Sequence, residues 1–315
     1  MNFEPKNLHR RTCSLPLAIP RGHAVSIPTD HHFLPVFYLK RWCNADGKVI
    51  RYHRPHKDVV AHATSPIRTG YEPHLYTLRG NPPGQQHHLE TAFMAKEVDT
   101  PAAEALTFIL ANKGQNMTIE HRRHWTRFLL SMHWRNPTAL EAVTIEARKF
   151  ITKNFNNNPE EYRAVRQPGD PPTLLEWQEL NRPYDMDDAG RHMLKPLILD
   201  DRSGTDIMNM RWATIDLSAS SISLLTCDRP FHNGRGIKHP DTVVSLPISP
   251  SKLFIATNTE KVEREIDRVG PTDVAVRRNR DTVALAVKHV YGNTDGHLRF
   301  VENRLRQTRS SPKNA

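Results

Sequence analysis

Two adjacent histidines and three spaced carboxylates are the side chains in this sequence best suited to acid–base chemistry. His31 and His32 precede the aromatic run FLPVFYLKRW, and Asp228 follows the apolar segment SISLLTC. Glu90 and Glu97 lie seven residues apart in a segment with helical character. A neutral imidazole can move a proton near neutral pH, and a carboxylate can act as a base or hold a divalent metal ion. We therefore predict these five residues as catalytic candidates.

Each candidate also has an ordinary structural explanation. One of the two histidines can hydrogen-bond to the backbone while the aromatic residues after it form core. Asp228 precedes Arg229-Pro230, and an aspartate at such a position commonly caps a turn. The glutamates can belong to a solvated helix face with partners one turn away. The sequence leaves both explanations open for every one of these residues.

Two further residues are suited to holding an anionic substrate. Tyr38 lies in VFYLKRW, which combines aromatic and basic groups as surfaces that bind single-stranded nucleic acid do. Arg135 ends a helical segment just before Asn136-Pro137. Its guanidinium can capture a phosphate or a buried carboxylate such as Glu97, or it can simply be stabilised by the helix dipole. We predict Tyr38 and Arg135 as substrate-binding residues.

The elements that position these residues follow from the hydrophobic pattern. Alternation predicts a strand over Lys48 to Arg54, and Thr118 is a plausible N-cap for a helix that places Trp125 and Phe128 on one face. After residue 210 the chain is rich in short β-like segments separated by turns. These observations predict an α+β fold, with a central helical bundle and a small, mostly antiparallel sheet formed by N- and C-terminal segments.

The spacing of the glutamates has a consequence for their surroundings. Seven residues make about two turns of an α-helix, so Glu90 and Glu97 are predicted to share one stripe at the border of the core. A carboxylate at such a border is destabilising unless a cation or a donor meets it. Pro101 predicts a bend further along the same helix.

Length, charge and cysteine content bound the class of protein. The chain has 315 residues, a formal charge of +10 and 18 histidines, which is compatible with nucleic acid or another anionic ligand as partner. No apolar run reaches the roughly 18 to 20 residues of a membrane span, so no membrane partner is expected. The three cysteines are far apart and form no CxxC pair, which favours a reducing cytoplasm. We expect a flexible basic arm over 1–28, one α+β domain over 29–305 and a disordered tail over 306–315.

Several short motifs occur in an order that resembles a known bacterial family. HHFLPVFYLKRW is similar to the family's opening signature, and NRDTVALAVKHVYGN resembles its closing helix. Between them, three further motifs are similar to the family's pattern and occur in the same order: HHLETAFMAKEVD, WRNP, and LLTCDRP followed by VVSLPISP. These motifs resemble the domain-of-unknown-function family 4238 over about residues 30 to 292. Cys227 stands where that family usually has a serine before the aspartate. Asn279 precedes the apolar run of the closing helix, and we predict it as a third substrate-binding residue.

Two functions from different classes fit these residues. The first is hydrolysis of nucleic acid or a related anion in a bacterial defence or toxin setting. In this function a carboxylate acts as base or holds a divalent metal ion, a histidine transfers a proton, and Arg135 stabilises the developing negative charge. The second is a non-catalytic module that binds nucleic acid or protein, with the same residues forming a buried polar network. The first requires the candidates to meet in one solvent-connected pocket.

Overall fold

The computed structural model describes residues 29–112, 116–157 and 159–306. The predicted arm over 1–28, and all but the first residue of the predicted tail over 306–315, lie outside the described residues. Helices and small antiparallel sheets are both present, which confirms the α+β class. No helix of the described residues is long and apolar enough to span a membrane.

The described strands form three separate sheets rather than the one small sheet predicted. The strands are β1 (Asp30–His32), β2 (Val49–His53), β3 (Val60–Thr64), β4 (Tyr71–Pro73), β5 (Arg211–Asp216), β6 (Thr226–Cys227), β7 (Val243–Ser249), β8 (Lys252–Thr257) and β9 (His289–Gly292). The sheet orders are β1-β4, β3-β2-β9-β6 and β5-β8-β7, and every pairing is antiparallel. The four-stranded sheet does join N-terminal to C-terminal segments, as predicted.

The helices of the described residues fill the middle of the chain and return near its end. They are α1 (Val36–Leu39), α2 (Thr100–Asn112), α3 (Ile119–Trp134), α4 (Pro137–Asn157), α5 (Pro159–Val165), α6 (Leu174–Asn181), α7 (Asp185–Ile198), α8 (Asp201–Asn209), α9 (Glu260–Asp267), α10 (Pro271–Leu285) and α11 (Leu298–Glu302). Helix α3 packs against α2, α7 and α8, and α4 packs against α7. This group is the predicted central bundle.

A π-helical segment, Leu89–Asp99, leads directly into α2. Its i→i+5 hydrogen bonds make a wider helix, and the Thr100 hydroxyl donates to the Ala95 carbonyl at 2.9 Å. Pro101 has no N–H to give to the carbonyl of Glu97, and Arg127 Nη1 donates to that carbonyl instead at 3.2 Å. At the position where a bend was predicted, the structure has a change from π-helix to α-helix, just before Pro101.

The ends of α3 and α4 follow the local sequence signals. The Thr118 hydroxyl accepts from the backbone N–H of His121 at 3.1 Å, which confirms the predicted N-cap. Asn136 Oδ1 accepts from the backbone N–H of Ala139 at 3.0 Å, so Asn136 caps α4, and Pro137 lies in its first turn. Arg135 is held at the junction of the two helices.

The three-stranded sheet β5-β8-β7 is apolar on both faces. Phe254 and Ala256 of β8 face the main core, which also contains Trp125 of α3. Leu253 and Ile255 alternate with them and face a second cluster with Val274 of α10. Alternation along a strand explains this division. The sheet thus separates the helical core from a smaller layer made by α9 and α10.

Candidate functional site

A buried arginine organises the polar residues that the first part of the sequence singles out. Arg135 is 1% exposed. Its Nη1 and Nη2 donate to the two carboxylate oxygens of Asp99 at 2.6 and 3.2 Å, and Nη2 also donates to the His32 carbonyl at 2.7 Å. The Tyr76 hydroxyl donates to the Arg135 carbonyl at 2.5 Å. Arg135 therefore captures a carboxylate as one alternative predicted, but the carboxylate is Asp99 and not Glu97. We call these four residues and Glu90 the Arg135 network.

Glu90 belongs to this network because of the π-helix. Two turns of the wider helix take about nine residues rather than seven, so Glu90 shares a face with Asp99. Burial raises the pKa of Glu90 to about 7, and Asp99 adds to the rise while Arg135 opposes it. Within the described residues, Glu90 Oε2 is buried without a hydrogen-bond partner. Glu90 is thus a carboxyl group that changes protonation near neutral pH.

The raised pKa of Glu90 predicts a pH-dependent effect of Glu90→Gln. The folded protein holds the Glu90 proton up to about pH 7, whereas the ordinary value is 4.5. The ionised group therefore removes stability as pH rises through this window. We expect Glu90→Gln to raise the Tm relative to wild type more at pH 8 than at pH 4.5, measured by thermal unfolding. Glu104→Gln, at an exposed position of α2, is the control. If Glu90→Gln changes the Tm by the same amount at both pH values, the raised pKa of Glu90 is contradicted.

The two opening histidines occupy different environments. His31 is fully buried; its Nδ1 accepts from the Tyr76 backbone N–H at 2.8 Å, and its ring stacks on Tyr76 with centroids 5.7 Å apart. Its Nε2 lies 3.4 Å from Nδ1 of His87. His32 Nε2 donates to the Ile67 carbonyl at 3.2 Å, and burial lowers its pKa. These contacts favour the structural explanation of both rings.

Tyr38 and Asn279 also bond protein atoms in the interior. The Tyr38 hydroxyl donates to the Pro247 carbonyl at 2.8 Å and lies 2.7 Å from the Thr226 hydroxyl. Asn279 accepts from the Leu225 N–H at 2.8 Å and donates to the Ser223 carbonyl at 2.9 Å. Both side chains are buried. Tyr38 bonds to residues of β6 and β7, and Asn279 bonds to the segment that leads into β6. The structure therefore gives them contacts within the fold rather than an open face towards a substrate.

The remaining carboxylates lie apart from one another. Glu97 is 45% exposed and pairs with Lys195 at 3.3 Å in a cleft beside Arg191. Asp228 is buried, and its two oxygens accept from the backbone N–H groups of Val287, Lys288 and His289 at 2.9, 2.6 and 2.8 Å. Asp228 thus holds a segment that is distant in sequence, rather than capping its own turn as the alternative to catalysis had it. Within the part of the chain that the structure describes, Glu97 and Asp228 thus line two different cavities.

A second polar feature lies where Asp228 holds the chain before β9. A cavity of about 270 Å³ is lined by side chains from β2, β4, the turn before β4, the start of α4 and the segment after β6. We call it the basic cavity, after its four cationic lining residues Arg51, Arg68, Arg229 and Lys288. Lys288 pairs with Glu72 at 3.5 Å. Within the described residues, the three arginines form no ion pair and no side-chain hydrogen bond. Four cationic residues thus line the cavity together with two acidic ones, Glu72 and Asp228, so its lining has an excess of positive charge.

His289 adds a neutral nitrogen base to this cavity. Burial, together with the nearby cations Arg51 and Lys288, lowers its pKa to about 4. In the described part of the chain its Nδ1 is buried without a partner. The sequence prediction missed Arg51, Arg68, Lys288 and His289 because they come from distant segments that only the topology brings together. The signal that was available is the net charge of +10, which is dispersed along the sequence.

The chain is similar to one protein family over most of its length. The family described as "Protein of unknown function (DUF4238)" matches residues 30–296. The chain belongs to this family. The match confirms the resemblance seen in the motifs, and the DUF4238 region contains both the Arg135 network and the four cations of the basic cavity. No curated protein and no solved structure matches the chain.

The sequence prediction included a divalent metal ion, which would need several His, Cys, Asp or Glu side chains close together. Across residues 29–112, 116–157 and 159–306, no group of three or more His, Cys, Asp or Glu side chains is arranged to hold a metal ion. The prediction of a divalent metal ion therefore stays a prediction.

Proposed function

We propose that this DUF4238 protein binds single-stranded nucleic acid, with a phosphate group in the basic cavity. The observation that carries the proposal is the set of three arginines, Arg51, Arg68 and Arg229, that line one cavity and form no ion pair among the described residues. Guanidinium groups match phosphate oxygens in charge and geometry. The Arg135 network has a structural role in this account.

Two other properties of the cavity support a nucleotide rather than a simple anion. The N-terminal end of α4, a helix of 21 residues, lines the cavity through Asn136 and Thr138, and the positive end of a helix dipole favours phosphate. Tyr71 is half-buried beside the cations, and aromatic rings can stack on bases. A volume of about 270 Å³ is enough for part of one nucleotide, with the rest of the strand outside.

The proposal predicts binding that depends on salt and on the cavity arginines. Fluorescence anisotropy with a labelled single-stranded RNA is expected to give an affinity that falls steeply as salt increases. Arg68→Glu should weaken binding by about tenfold or more, and removing a single arginine–phosphate interaction should reduce the salt slope by about 0.7. Arg68 is exposed, so the variant should stay folded.

A matched control separates this site from general charge attraction. Arg163→Glu changes an exposed arginine of α5 that pairs with Glu160 and makes the same change in net charge as Arg68→Glu. We expect Arg163→Glu to bind RNA almost as wild type does. Equal losses in the two variants would mean that binding is a property of the whole basic surface, and the absence of RNA binding in the wild type would reject the proposal.

Phosphodiester hydrolysis is a second candidate, favoured by His289. The imidazole of His289 lines the basic cavity beside Arg51 and Lys288 and is neutral at pH 7. A neutral imidazole can accept a proton from water while arginines stabilise charge on the phosphate. Incubation of the protein with plasmid, total RNA and tRNA, with and without added divalent metal, followed by gels, tests for turnover. Cleavage that disappears in His289→Gln while RNA binding persists would support hydrolysis. Cleavage that His289→Gln leaves unchanged would reject this role.

A further inference from the structure

A buried arginine of α10 has donor groups that no protein atom satisfies. Arg278 is 4% exposed, and its Nη2 donates to the Pro230 carbonyl at 2.6 Å. Its Nε and Nη1 are buried and have no hydrogen-bond partner among the described residues, where Arg278 also forms no ion pair. Burial is the largest influence on its pKa and lowers it. A buried cation without a counter-ion is strongly destabilising, so this position favours an anion from outside the chain.

Arg278 lines a cleft of about 510 Å³ between α9, α10 and the outer face of the sheet β5-β8-β7. We call it the amphipathic cleft. Its walls are mainly aliphatic, and they are formed by Ile215, Val243, Leu253, Ile255, Ile266 and Val274. The volume lies within the range of about 300 to 1,000 Å³ that is usual for small-molecule sites. The cleft shares no lining residue with the basic cavity.

The charges around the cleft indicate how many negative charges it can accept. Arg235 pairs with Asp241 at 3.8 Å, and the exposed Asp281, one turn from Arg278, attracts Arg278 without forming an ion pair. Arg277 is exposed at the same face of the cleft. One buried guanidinium thus needs one negative charge, and a doubly charged phosphate monoester would bring an excess charge into an apolar site.

We propose that the amphipathic cleft binds a small monocarboxylate with an aliphatic body. The carboxylate pairs with the guanidinium of Arg278, which has no counter-ion among the described residues and lines the cleft. The aliphatic body packs on Leu253 and Ile255, which the alternation of β8 directs to this side of the sheet. This proposal does not depend on the basic cavity, so a test of nucleic-acid binding does not decide it.

Titration calorimetry of the full chain with decanoate, below its micelle concentration, tests this site. We expect one decanoate to bind per chain, and 1-decanol, which lacks the charge, to bind at least about tenfold more weakly. Arg278→Met should weaken decanoate binding by about tenfold or more. Arg280→Met, at an exposed position of the same helix outside the cleft, should leave it unchanged.

A second variant keeps the test decisive if Arg278→Met does not fold. Ile215→Trp fills the cleft from β5 and leaves Arg278 in place, so it should also weaken decanoate binding. The proposal is overturned if wild type does not bind decanoate, if decanol binds as tightly as decanoate, or if Arg278→Met and Ile215→Trp bind like wild type.

Discussion

Arg135→Ala is expected to lower the free energy of unfolding by about 3 to 5 kcal/mol, because it removes one partner of a buried ion pair. Asp99 would lose both guanidinium bonds, and the His32 carbonyl would lose its donor. Glu90 would also lose the nearby cation that opposes its raised pKa. Urea unfolding followed by circular dichroism measures the loss.

The matched control for Arg135 is an arginine whose ion pair lies at the surface. Arg123 of α3 pairs with Glu120, and their side chains are 49% and 55% exposed. Arg123→Ala should lower the free energy of unfolding by at most about 1 kcal/mol. Equal losses for Arg123→Ala and Arg135→Ala would contradict the structural role of the Arg135 network.

Asp228→Ala is expected to lower the free energy of unfolding by about 3 kcal/mol, because three backbone N–H groups lose a charged acceptor. Those groups belong to Val287, Lys288 and His289, which also line the basic cavity. The variant should therefore exchange the amide hydrogens of residues 287–289 faster than wild type. Urea unfolding and hydrogen exchange with mass spectrometry measure the two effects.

Asp216→Ala provides the comparison for Asp228. The Asp216 side chain is 46% exposed and accepts from the Ser218 N–H at 2.9 Å and from Lys252. Asp216→Ala should lower the free energy of unfolding much less than Asp228→Ala, because water can hydrogen-bond to the groups that Asp216 contacts. A loss in Asp228→Ala no greater than in Asp216→Ala, with unchanged exchange at residues 287–289, would show that Asp228 does not hold this segment.

Local sequence signals predicted much of the fold. The Thr118 cap, the start of α4 at Asn136-Pro137 and the strand Val49–His53 all depend on residues close together in the chain. The aromatic residues Trp125 and Phe128 are buried on one face of α3, as their spacing predicts. These features are local, so hydrogen bonding and periodicity within a short segment determine them.

The sequence did not show which of the catalytic candidates lie close together, because their contacts depend on helix type and on long-range packing. The π-helix changes the residues that share a face, so the stripe expected for Glu90 and Glu97 is replaced by Glu90 and Asp99. The i→i+5 pattern has no clear signature in residue type. Asp228, predicted as catalytic, and Arg135, predicted as substrate-binding, both make buried polar contacts within the fold. The sequence does not show which contact each one makes.

The basic cavity could not be predicted because it depends on topology. Arg51 comes from β2, Arg68 from the turn before β4, and Arg229 from the segment after β6. The pairing of β9 with both β2 and β6 brings the segments that carry Arg51 and Arg229 to one place. Long-range strand pairing of this kind is not encoded in any short motif.

The division between a structural network and a ligand-binding cavity is the central claim of this account. The most direct measurement is a crystal structure of the protein with a short single-stranded RNA. The account predicts a phosphate group within hydrogen-bond distance of Arg68 and Arg229, with Arg135 still paired to Asp99. An RNA strand bound elsewhere, with its phosphates away from the basic cavity, or a phosphate that replaces Asp99 at Arg135, would contradict it.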